Sequence, residues 1–144
     1  MNDEVMRMMK KFRNILAVIA GLVIGSLVNM ALIMISGKII PLPEGIDNQT
    51  AEGLAAGIHL FEPKHFIFPF LAHALGTFVG AFLATKLSNP KSIIGSMIIG
   101  VLFLAGGISM VLQLPESPLW FNCVDLIFAY VPMVYIGYVL GRSK

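Results

Sequence analysis

Two residues stand out for the chemistry they can do. His73 in "HFIFPFLAHALGTFVG" and Asp125 in "PLWFNCVDLIFAYVPM" each interrupt a run that otherwise suits lipid. An imidazole and a carboxylate meeting in a dry site supply a general base held in one tautomer, a proton carrier, or a polar clasp between helices. Which of these applies depends on the elements that carry them.

Those elements are membrane spans. The chain has 144 residues, 57% of them hydrophobic and 12% charged, with a mean hydropathy of +0.85. That leaves too little polar surface for a soluble domain. The apolar residues fall into four runs, about 15–36, 66–84, 93–114 and 120–140. At ~1.5 Å per residue each crosses a hydrocarbon core of roughly 30 Å. The expected fold is therefore all-α: a polytopic transmembrane four-helix antiparallel bundle forming a single integral membrane domain over 1–144. The first run follows "MRMMKKFR" but is longer than the ~7–15 apolar residues of a signal peptide, and we read it as a retained span. Lone Cys123 allows no intramolecular disulfide and no multi-cysteine metal site.

Basic residues set the expected orientation. Arg7, Lys10, Lys11, Arg13, Lys86, Lys91, Arg142 and Lys144 share one side, whereas the other holds Lys38 and Lys64 with Glu44, Asp47, Glu52, Glu62 and Glu116. By the positive-inside rule both termini are cytoplasmic. The net charge of +2 reflects anchoring and gives no reason to expect nucleic acid as a partner; membrane lipids are the expected one.

"TKLSNPK" and "PESP" are short turns between antiparallel neighbours, whereas the external loop 37–65 is long enough to hold an element. "PLPEG" opens it stiffly, and Asp47 or Asn48 can cap an amphipathic helix running to about Phe61. Leu54, Ile58 and Phe61 share its apolar face; Glu52 and His59 share the other. That helix either seals the bundle or forms a lid, with Glu52 and His59 as the lid residues. His59 and His65 near Glu52 and Glu62 match no metal-site spacing, and no metal or cofactor is expected.

Lipid gives helices little hydrophobic reason to associate, so small residues and polar contacts must hold the spans together. Gly21 and Gly25, Gly76 and Gly80, and Gly137 and Gly141 are three small-xxx-small pairs, suited to a tight bundle and to a homo-oligomer through glycine-lined faces. Pro132, two turns past Asp125, predicts a kink in the fourth span.

The polar residues share a level and helical phases that point inward. His73 lies with Thr77 and Gly80, Asp125 with Ala129 and Pro132, and Asn29 near Gly25 and Ser36. An Asp at the centre of an isolated span costs ~2.5–3.5 kcal/mol, so Asp125 needs a partner. The cheapest arrangement pairs it with His73 and lets Asn29, Gln113 and Asn122 satisfy the remaining lone pairs.

The blocks "NMALIMISGKIIPLPEGID", "HFIFPFLAHALGTFVGAF" and "PLWFNCVDLIFAYVPM" together resemble a family of small, uncharacterised four-helix bacterial inner-membrane proteins. The likeness spans nearly the whole chain and rests on the proline-rich loop opening, Ala72–Gly76, and Trp120 and Phe121 followed by Asp125. It implies a bacterial inner-membrane location and no assigned activity, substrate or cofactor. More distant members carry an acidic residue where this chain has Asn29, which weakens schemes needing two buried carboxylates.

The leading expectation is binding, extending to transport, of a small polar or amphipathic ligand in a pocket open to the external side. Asn29, His73, Thr77, Gln113, Asn122 and Asp125 would line it. The alternatives are a small intramembrane enzyme with His73 and Asp125 as catalytic residues, and a structural or accessory membrane subunit.

Overall fold

The computed structural model describes residues 2–48 and 50–143, and every regular element among them is helical. Six α-helices follow in order: α1 (Asp3–Ile39), α2 (Ala51–Gly57), α3 (Ile67–Leu87), α4 (Ile93–Gln113), α5 (Leu119–Phe128) and α6 (Val131–Arg142). Short 3₁₀ turns at Ile58–Leu60 and Pro63–Phe66 lead from α2 into α3. Four stretches are long and apolar enough to cross a membrane: Asp3–Ile39, Pro63–Leu87, Ile93–Gln113 and Leu119–Arg142. The protein is an all-α four-helix membrane bundle with one short extra helix.

Two boundaries differ from the hydropathy reading. α1 begins at Asp3, well before Ile15, because the polar stretch ahead of the apolar run contains good helix formers, no glycine or proline, and Asp3 and Glu4 in its first turn. Hydropathy marks the lipid-crossing part of a helix, whereas propensity decides how far the helix continues. The fourth span is two helices. α5 stops at Phe128, Ala129 and Tyr130 form the joint, and Pro132 sits in the first turn of α6. Proline has no N–H to give the preceding turn, so the expected kink is a break.

α3 is the central helix, packing against α1, α6 and α4; α1 and α4 touch less. Glycine allows the close approaches. A Cβ on Gly21 would collide with the Gly80 carbonyl, and one on Gly25 would lie 2.6 Å from the Gly76 carbonyl oxygen. On the other side of α3, Gly137 and Gly141 face the carbonyls of Phe78 and Phe82 in the same way. All three expected glycine pairs thus bind helices within one chain, and their faces are not free for a partner.

The cap is shorter than expected and starts later. Thr50, not Asp47 or Asn48, is the N-cap of α2: its Oγ1 accepts from the Gly53 amide (3.0 Å) and donates to Asp47 Oδ2 (2.8 Å). Leu54, Ile58 and Phe61 pack with Phe66, Leu114 and Phe121, sealing the ends of α3, α4 and α5. His65 pins the loop. Its Nδ1 accepts from the Glu62 amide (2.8 Å), which leaves Nε2–H to donate to the Pro41 carbonyl (3.2 Å).

Candidate functional site

The site begins with a carboxylate that has left water. Asp125, on α5, is 2% exposed. His73, one element away on α3, donates from Nδ1 to the carboxylate, 2.9 Å from both oxygens. The imidazole remains partly accessible, with 20% of its side chain exposed. Helical phase and depth thus brought the expected pair together.

A third member is absent from the sequence reading. The Tyr130 hydroxyl donates to Asp125 Oδ2 (3.2 Å), and its ring lies against the His73 ring, centroids 5.8 Å apart. Five residues along an unbroken α-helix is a rotation of about 140° away from the starting face, so a continuous span would carry Tyr130 off the site. The break at Ala129–Tyr130 turns it back. Gly107 on α4 completes the fit, because a Cβ there would collide with the Tyr130 hydroxyl. The one signal in the sequence was Pro132, whose kink displaces the residues just before it.

The other expected partners of Asp125 do not reach it. Gln113 Nε2 donates to Ser109 Oγ (3.0 Å) and the Ser109 carbonyl (3.2 Å), one turn back on its own helix. Asn122 Oδ1 accepts from Ser117 Oγ (2.8 Å) in the adjoining turn. Local partners order fewer groups than contacts across the bundle, and here they win. Thr77 donates to the His73 carbonyl (2.7 Å) within α3, which leaves its hydroxyl engaged. Glu52 and His59 are exposed on the cap.

Asn29 is the informative exception. Its Oδ1 is buried with no hydrogen-bond partner, a situation that costs about 1–3 kcal/mol when nothing donates to it. Asn29 and His73 both line a groove of about 340 Å³ between α1 and α4, walled by Ser26, Phe103, Gly106 and Met110. Gly106 adds room, since a Cβ there would have no neighbour within 4 Å. α1 packs far less closely against α4 than against α3, and the groove lies between α1 and α4. A hollow of similar size at the opposite end, between Ile15, Val18 and Ile98, carries no titratable side chain.

Chemically, Asp125 fixes the tautomer. With Nδ1–H donated to the carboxylate, the Nε2 lone pair is free, and it has no partner among the described residues. That is the state of an oriented general base. Among the described residues no three His, Cys, Asp or Glu side chains are grouped to hold a metal ion. No family model, curated protein or solved structure matches the chain; the fold and the site geometry identify it as a small multi-helix membrane protein.

Proposed function

We propose that the protein is a small intramembrane enzyme in which His73, oriented by Asp125, acts as general base on an amphipathic substrate drawn into the α1–α4 groove from the surrounding lipid. One observation carries the reading: Asp125 holds Nδ1 of a groove-lining histidine whose Nε2 has no protein partner. The Ser36 and Thr77 hydroxyls already donate within their own helices. In this reading the attacking oxygen is that of a water or of a hydroxyl of the substrate, adding to an ester carbonyl carbon of the substrate. As the new C–O bond forms, His73 takes the attacking oxygen's proton at Nε2 and the Asp125 carboxylate stabilises the imidazolium; the proton then passes to the alcohol oxygen as its bond to the carbonyl carbon breaks. Asn29, which lines the same groove, positions the bound molecule.

The test uses purified protein in nanodiscs of bacterial polar lipids, with lipid products followed by mass spectrometry. Wild type should generate products that H73Q and D125N form about 10²–10⁴-fold more slowly, while S26A, which removes the hydroxyl lining the groove, remains active. Identical profiles for wild type and H73Q would refute catalysis. Binding of a polar or amphipathic ligand without chemistry, with transport as its extension, is the second reading. The unpartnered Asn29 oxygen favours it. It predicts that an amphipathic alcohol protects Cys residues introduced at Gly106 equally well in wild-type and H73Q backgrounds.

In this proposal the membrane is a bacterial inner membrane and both termini are cytoplasmic. Support comes from the charge distribution: Arg13, Lys86 and Lys91 gather at one end of the bundle, bonded to Leu87 and Ser143 carbonyls, whereas Glu52, Glu62 and Glu116 lie at the capped end.

A further inference from the structure

α1 outruns the bundle it belongs to. Arg13 Nε donates to the Leu87 carbonyl (2.8 Å) and the Asn89 amide donates to Asn14 Oδ1 (2.7 Å), so the α3–α4 turn lies level with residues 13 and 14 of α1. The helix nevertheless starts at Asp3. Residues 3–12 therefore stand clear of the bundle by about 15 Å. With Lys86, Lys91 and Arg142 taken as the level of the membrane boundary at this end, the headgroup layer beyond it is only roughly 5–7 Å deep. Lipid covers the apolar face of α1 inside the membrane but cannot cover the first two turns of this extension.

The extension is nonetheless amphipathic. Arg7, Lys10 and Lys11 occupy one side; Val5, Met9 and Phe12 occupy the other, with Met9 57% and Phe12 63% exposed. The apolar positions continue into the membrane as Leu16, Ile19 and Val23, all exposed. Their spacing is 4, 3, 4, 3, 4, the a/d pattern of a coiled coil. Arg7, Lys10 and Lys11 fall at outward positions of that heptad. Arg13 flanks the seam but is tied to its own Leu87 carbonyl, so no cations oppose each other across it.

We infer that this stripe pairs α1 with α1 of a second copy of the chain, as a parallel two-helix coiled coil running from the membrane into the aqueous phase. A second copy fits because it presents the same stripe at the same height: two molecules inserted with one topology are related by a two-fold axis along the membrane normal, and their heptads are then in register. The glycine faces are already used inside each protomer, whereas the α1 stripe is unused and carries the heptad spacing.

The experiment is disulfide cross-linking of the full chain in lipid vesicles, with native Cys123 replaced by serine and single cysteines placed along α1. Cross-linked dimer should form at V5C, M9C and F12C and be lost at R7C, K11C and N14C. Adding Met9→Glu and Phe12→Glu should abolish the V5C cross-link while thermal unfolding is unchanged, since both side chains lie outside the bundle. Equal yield at all six positions, no dimer at any, or a V5C cross-link that survives the two glutamates would each overturn the proposal.

Discussion

The bundle buries polar side chains at two levels, and the two clusters are finished differently. Toward the basic end, Thr85 and Ser96 are fully buried and share a hydrogen bond of 2.5 Å, and Ser96 Oγ also lies 2.8 Å from the Ala81 carbonyl. Nothing there is left over. Toward the capped end, His73, Asp125 and Tyr130 are equally well joined to one another, yet among the described residues His73 Nε2 and Asn29 Oδ1 have no partner, and both residues line a groove. A polar clasp needs only satisfied groups, as the inner cluster shows. An unused acceptor on a groove-lining histidine is what binding and catalysis need.

The comparison can be broken or sharpened by substitution. The largest effect belongs to His73: H73Q should lower product formation in nanodiscs by about 10²–10⁴-fold, measured at a temperature at which the variant is still folded. Loss of fold with loss of activity would place His73 with the inner cluster. Gly107→Ala comes next. Its methyl group would push the Tyr130 hydroxyl off Asp125, and overpacking of this kind costs about 1–3 kcal/mol, measurable as a lower midpoint of thermal unfolding. Ser96→Ala removes a saturated hydrogen bond and should cost about 0.6–1.7 kcal/mol with activity unchanged; reduced activity at full stability would erase the distinction between the clusters. The smallest effect has the opposite sign. Asn29→Leu removes a buried acceptor that has no donor, so stability should hold or rise slightly, while occupancy of the groove, read by protection of a cysteine at Gly106, falls.

Much of this was legible from residue type and spacing. Hydropathy marked the crossings, and matching depth with small-residue phase predicted that His73 and Asp125 would meet. Tyr130 was not legible, because an aromatic near mid-span reads as core and its return to Asp125 depends on the helix stopping at Phe128. The misassignment of Gln113 and Asn122 has a different cause. Their depths were suitable, but amide side chains close to span ends find serines within a turn, and that local competition does not show in helical projection. The length of α1 was missed because an apolar run says nothing about the polar helix formers ahead of it. For the cap, Asp47 and Asn48 were expected and Thr50 does the capping, a shift of a few positions of the kind that helix boundaries show.

The central claim is that Asp125 presents His73 to a guest in the groove, and a high-resolution structure determined in native lipid tests it most directly. The account predicts an amphipathic molecule between α1 and α4, with an oxygen or nitrogen within about 3 Å of His73 Nε2. A groove filled only by acyl chain, with Nε2 bonded to a protein group, would contradict it.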